Sequence, residues 1–194
     1  MLAWSMRHRL LFAGVLLLGA LASPGLAAAQ GITVAVVIDA QGFLTIGESD
    51  QNAGPFDWVG VDSRISAGPR SYAVLAFASG ARYRVESRTR AHVQGNTVHR
   101  LHGMVTELPA VPAFPVRQIG RGRTAAEPTD ADRAALKAFA DAIGTTADKD
   151  LLLLATVVHL HWGMPKEAGL YLQRARGANA PKKLVEMLQR QLPS

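Results

Sequence analysis

The apolar residues of this chain change their spacing once, and the change falls across a proline-rich stretch. Before Leu108 they recur at alternate positions or in short runs, as in β-strands. After Thr129 they recur at intervals of three and four, as in helices. A chain patterned in this way is α+β, with strands and helices segregated along the sequence. The stretch between them, residues 109–128, holds Pro109, Pro112, Pro115 and Pro128 with Gly120 and Gly122. Proline removes backbone donors and favours extended chain, so this stretch reads as a linker or a strap over the surface.

In the first region, Ile32–Ile38 is rich in β-branched residues. Asp39–Gly42 reads as a turn, and Phe43–Ile46 as the strand returning from it. Tyr72–Ala78 is almost wholly apolar, which predicts a central strand buried on both faces. Ala81, Tyr83 and Val85 alternate with Arg82 and Arg84, and Thr89, Ala91 and Val93 repeat that alternation. A turn at Gln94-Gly95-Asn96 and a strand marked by Leu101, Gly103 and Val105 complete the set. Short strands with frequent turns predict a small antiparallel β-sandwich or barrel over residues 30–108.

In the second region, residues 129–194, Thr129 or Asp130 caps a helix carrying Leu136, Phe139 and Ile143, stopped at Gly144. Leu151–Trp162 is apolar nearly all round and reads as a buried helix. Pro165 starts a third helix with Ala168, Tyr171, Leu172 and Ala175 on one face, and Gly177 ends it. Asn179 caps a last helix whose stripe is Leu184, Val185, Leu188 and Leu192. All five lysines lie here, whereas the ten basic residues of 30–128 are all arginine. This composition shift also marks a boundary near residue 129.

The first 29 residues have the features of a secretory leader. Arg7 and Arg9 precede the apolar run Leu10–Leu21, Ser23-Pro24-Gly25 breaks it, and Ala27-Ala28-Ala29 supplies the small residues for cleavage. The run is shorter than the about 20 residues of a membrane span, and no later segment is long and apolar enough for one. Cleavage near Ala29 predicts a periplasmic or otherwise exported chain without a transmembrane segment. Removing Arg7 and Arg9 lowers the net charge from +6 to +4, no signature of nucleic-acid binding. The chain has no cysteine, which excludes disulfides, thiolate metal sites and cysteine nucleophiles.

The segment Trp58–Leu108 resembles the FecR-like family of exported bacterial β-domains. The residues that carry the likeness are Trp58–Gly68 (WVGVDSRISAG), Ser71–Phe77 (SYAVLAF), Ser79-Gly80, Tyr83–Val85, Thr89, Val93 and Leu101–Val105 (LHGMV). Ser79-Gly80 stands where the family pattern has Asp-Gly. The resemblance implies a periplasmic β-sandwich that meets an envelope protein or an acidic glycan. It does not extend to a membrane-spanning signalling role, since the cytoplasmic segment of such regulators has no counterpart here. The helical region resembles one tetratricopeptide-type unit, with Gly163, Ala168, Leu172 and Ala175 at the positions of the turn and small packing residues.

Arg82, Arg84, Arg88, Arg90 and His92 form the most distinctive polar group. If Ala81, Tyr83, Val85, Thr89, Ala91 and Val93 face the core, these five share the outer face of neighbouring strands. Guanidinium groups grip carboxylate or phosphate in forked geometry, which predicts an anion-binding face. The plainer expectation is a solvated sheet face partly neutralised by Glu86. The histidines predict no metal site. His99 and His102 point to opposite faces of a strand. His159 and His161 stand about 200° apart on a helix. A tight turn at Gly95-Asn96 sets His92 opposite His99 but exposes Leu101, and a bulge near Val98 is expected to resolve this by moving the two histidines apart.

No nucleophile elbow, zinc-protease motif or phosphate loop occurs. Trp58 and Trp162 are expected to pack in the core rather than stack on a sugar. The sequence therefore predicts a non-enzymatic periplasmic interaction module, a scaffold or sensor in the envelope, with no cofactor and no nucleic-acid partner. The alternative is an envelope glycan hydrolase using Asp57 and Asp62, which flank Trp58.

Overall fold

The computed structural model describes residues 32–47, 52–118 and 128–193. The leader read at residues 1–29 lies outside them, as do Gly120 and Gly122. The described residues form nine strands and four helices: β1 Thr33–Gln41, β2 Leu44–Ile46, β3 Trp58–Gly60, β4 Arg64–Ala67, β5 Tyr72–Phe77, β6 Arg82–Val85, β7 Arg90–Gln94, β8 Thr97–His102, β9 Val105–Leu108, α1 Asp130–Ile143, α2 Lys149–His161, α3 Pro165–Gly177 and α4 Lys182–Gln189. The strands make two antiparallel sheets, one of five in the order β3-β1-β5-β6-β9 and one of four in the order β2-β4-β7-β8. The chain is thus mixed α+β.

Alternation along the strands places two apolar clusters on opposite faces of the five-stranded sheet. Ala35, Val37, Leu75, Phe77 and Val85 share one cluster with Leu44, Ile65, Ala91 and Val93 of the four-stranded sheet. Val36, Ile38, Val74 and Ala76, one residue out of phase, share the other with Leu136, Phe139, Leu152 and Leu172 of the helices. This double burial is why Tyr72–Phe77 reads as a continuous apolar run rather than an alternating one. It also means that the regions on either side of residue 129 share a core.

The proline-rich stretch is a strap over its first half. The Val111 and Phe114 amides donate to the carbonyls of Gly80 and Ala78 at 2.9 Å each, and the Phe114 ring is buried in the helix-side cluster. The other side of the strap meets α2. Trp162 Nε1 donates to the Pro115 carbonyl at 3.1 Å. The side chain of Gln118 closes the strap on β1 through two hydrogen bonds to the Thr33 backbone, both 2.8 Å. Gly80 is required here: its φ is +92°, and a Cβ would sit 2.3 Å from the Val111 carbonyl oxygen.

Several local expectations change. The turn expected at Asp39–Gly42 is the end of β1, which runs on to Gln41. Leu44–Ile46 does not return along it; β2 pairs with β4 in the other sheet. The strand expected through Leu101, Gly103 and Val105 is broken at Gly103, with φ +84°, into β8 and β9 of different sheets. Buried Thr89 fixes that break, its hydroxyl accepting from the Met104 amide at 3.0 Å and donating to the Met104 carbonyl at 3.1 Å. Among the helices, Thr129 caps α1 in a reciprocal capping box with Asp132. Asn179 does not cap α4; it takes a φ of +57° in the turn after α3, and Pro181 stands at the N-cap.

Candidate anion-binding face

The five residues expected on one face divide between two sheets. β6 belongs to the five-stranded sheet, and Arg82 and Arg84 pair with Ala76 and Val74, so they point to the helix side. Arg82 Nε donates to the Pro109 carbonyl at 2.7 Å. The Arg84 guanidinium stacks on Tyr72, 4.3 Å from the ring centroid. Its Nε lies 2.9 Å from a Glu86 carboxylate oxygen but outside hydrogen-bond geometry, so Glu86 neutralises it as an ion contact only. The Tyr72 hydroxyl donates to Asp39 at 2.9 Å. Burial, followed by the bond to Asp39, pushes the Tyr72 pKa up. Arg82 and Arg84 are therefore part of the seam between sheet and helices. Alternation alone misplaced them because the chain changes sheets between Val85 and Arg90.

Arg90 and His92 do face outward, on the four-stranded sheet, because Ala91 and Val93 are buried beneath them. Of their cross-strand neighbours, Arg64 and Ser66 carry no mark in the sequence, and His99 and His102 stand out there only as histidines whose spacing makes no metal site. One row across the face is Arg64, His92 and His99; the next is Ser66, Arg90 and His102. Arg88 stands at the approach to β7 with φ +56°, its amide donating to the Gly68 carbonyl at 3.1 Å. Strands β2, β4, β7 and β8 contain three arginines, three histidines and no carboxylate.

The histidine register is also corrected. The β7–β8 irregularity lies between Arg90 and Ala91, opposite Arg100–His102 and not at Val98, so His92 and His99 remain direct partners. Leu101 falls in the irregular stretch and is exposed after all. Each ring already has neighbours. His92 Nε2 donates to the Asp62 carbonyl at 3.1 Å, and Gln94 donates to its Nδ1 at 3.4 Å. His99 Nε2 lies 3.0 Å from the Thr97 hydroxyl. Among the described residues, no group of three or more histidine or acidic side chains is placed to hold a metal ion.

Among the described residues, two of the grooves on the surface are large enough for a small molecule. One, of about 590 Å³, lies at the end of the cationic face between β4 and β7 and is lined by Ser66, Ala67, Gly68, Pro69, Arg88, Thr89, Arg90 and His102. The other, about 640 Å³, runs over α1 and α3 on an apolar floor that includes Leu136, Met164 and Tyr171. Its rim cations Arg133 and Lys137 are paired with Asp130 and Asp141. Asp57 and Asp62 line neither groove. Asp57 is exposed and accepts from the Gly54 amide at 2.8 Å, closing the turn before β3. Asp62 is exposed in the turn after β3, with φ +62°.

Trp58 and Trp162 pack inward. Trp162 is buried, and Trp58 is half-buried with its ring 4.0 Å from that of His161. His161 Nε2 donates to the Arg117 carbonyl of the strap at 2.8 Å. Burial is the main cause holding the His161 pKa below the ordinary histidine value. A histidine of lowered folded pKa supports the fold above its unfolded pKa, about 6.5, and that support is lost as pH falls through this value toward the folded one. The urea midpoint is therefore expected to fall between pH 7.5 and pH 5, and His161→Gln, which keeps a donor for Arg117, to flatten that slope. Parallel slopes for the two proteins would exclude His161 as a source.

No protein-family model, no curated protein and no solved structure matches this chain.

Proposed function

We propose that the protein is an exported, non-enzymatic interaction module of the FecR-like β-sandwich type. It acts in the periplasm, after cleavage near Ala29, as a scaffold or sensor that holds an acidic glycan or an acidic envelope protein. The observation that carries this reading is the outward face of the four-stranded sheet, with Arg64, Arg90, His92, His99 and His102 in adjoining rows and no carboxylate in its strands. Such a surface repels itself until an anion covers it, and it speeds encounter with a polyanion. Support for the sandwich comes from the apolar cluster shared by the two sheets and from the matching residues between Trp58 and Leu108. Support for export comes from the leader pattern of residues 1–29 and the absence of cysteine.

The test is retention on immobilised polygalacturonate at low ionic strength. Reversing two charges outside the groove, Arg64→Glu with His99→Glu, is expected to weaken retention about tenfold, and added salt to weaken it for the unaltered protein. A folded double variant retained as well as the original would remove this face from the interaction.

A further inference from the structure

The groove beside Arg88 and Arg90 narrows the chemistry of the ligand, given the reading of the outward face as an anion-binding surface. We infer that this groove takes a sugar-sized phosphomonoester, gripped by its phosphoryl group. Arg90 has Ser66 and His102 as direct cross-strand partners, so three polar side chains stand in one row across β4, β7 and β8. Arg88 adds a second guanidinium to the same groove. The floor beneath is fixed by buried Thr89 and by the Arg88–Gly68 backbone bond.

Charge balance sets this groove apart from the one over α1 and α3, whose rim cations Arg133 and Lys137 are paired with Asp130 and Asp141. Among the described residues, the side chains of Arg88, Arg90, Ser66 and His102 have no hydrogen-bond or ion-pair partner, and no carboxylate lines the groove. Two guanidinium forks, a hydroxyl and an imidazole offer more donors than one carboxylate can accept. A phosphomonoester brings three terminal oxygens and a charge of about −1.5 to −2 at neutral pH. A sulfate ester has as many terminal oxygens but only one charge. The groove is also larger than a lone phosphate requires. Its volume of about 590 Å³ is within the usual range for small-molecule sites. Ala67, Gly68 and Pro69 form a wall of small residues that leaves room for a ring.

The experiment is calorimetric titration of the full chain at low salt with glucose 6-phosphate, glucose 6-sulfate, glucuronate and inorganic phosphate. Glucose 6-phosphate is expected to bind about tenfold more tightly than the sulfate or the carboxylate, because a dianion pairs both guanidiniums. Arg90→Gln and Arg88→Asn are each expected to weaken it by about tenfold or more. Asparagine tolerates the left-handed backbone at position 88, and position 90 is exposed, so both variants keep the fold. Equal affinity for the three sugar anions, or unchanged binding by folded Arg90→Gln, would overturn the inference. Inorganic phosphate binding as tightly as glucose 6-phosphate would overturn the sugar-sized part of it. If charge reversal outside the groove weakens polygalacturonate retention while glucose 6-phosphate does not bind, the inference fails and the wider reading stands. Glucose 6-phosphate binding with retention insensitive to that reversal would overturn the wider reading alone.

Discussion

A chain ending at Leu108 is expected not to fold. The sequence invites that cut, because the β pattern stops there and the prolines begin. The packing forbids it. Val36, Ile38, Phe56 and Val74 are buried on the helix side of the five-stranded sheet, among residues of the strap and helices. Exposing a large apolar side chain costs about 1.5–3 kcal/mol, so these four together cost on the order of 6–12 kcal/mol. A whole domain of this size has a net stability of only about 5–15 kcal/mol. The cut also frees the Gly80 and Ala78 carbonyls from Val111 and Phe114. Residues 30–108 alone should aggregate or give a collapsed amide spectrum, whereas residues 30–194 should give a dispersed one. A dispersed spectrum and a cooperative melt for 30–108 would show that the strands need no helices.

The elements that the sequence reveals well are those whose burial follows a single period. α1 with Leu136, Phe139 and Ile143, the buried helix α2 and the small-residue face of α3 all agree with the spacing. β5 is central because its apolar run has no polar face, and the structure buries both. Pairing between strands is less legible, since it depends on where the chain leaves one sheet for the other. The turn at Asp39–Gly42 has suitable residues for a hairpin, yet β2 follows Ser71 and β4 into the second sheet: the Phe43 amide donates to Ser71 Oγ at 2.9 Å and Leu44 pairs with Ala67. Similarly, Gly103 breaks a strand that alternation alone would continue, because its backbone passes too close to Thr89 for any side chain.

The candidate site suffers from the same limit. Arg82, Arg84, Arg88, Arg90 and His92 look like one group while the two alternating segments are taken as neighbours. Glu86-Ser87-Arg88 instead carries the chain from one sheet to the other, and the group splits. What remains is joined by Arg64, Ser66, His99 and His102, which lie far apart in sequence and meet only through register. The one available signal was the Gly95-Asn96 turn, which by itself sets His92 opposite His99. Avoiding the exposure of Leu101 argued against that register, but the structure accepts the exposure and places the irregularity nearer Arg100.

Phe114→Ala is expected to cost about 3–5 kcal/mol, the usual range for removing a buried phenylalanine. The residue sits in the segment whose prolines read as a linker or a strap over the surface. Its ring is 4% exposed and packs 5.8 Å from the ring of Phe139, while its amide is bonded to Ala78 at the end of β5. Truncation thus removes contacts to the sheet and to α1 together, leaving a cavity that a strap tied at Gly80, Pro115 and Gln118 has little freedom to close. Because both layers share that cluster, helix content and tryptophan fluorescence should fall in one coincident urea transition, shifted to lower midpoint. Phe43→Ala is the control, since Phe43 is 54% exposed and outside both apolar clusters, and it should change stability by no more than about 0.5 kcal/mol. A Phe114→Ala loss no larger than that of the control would make the strap a tether. Separate transitions for the two probes would mean that sheet and helices are independent layers joined by a linker after all.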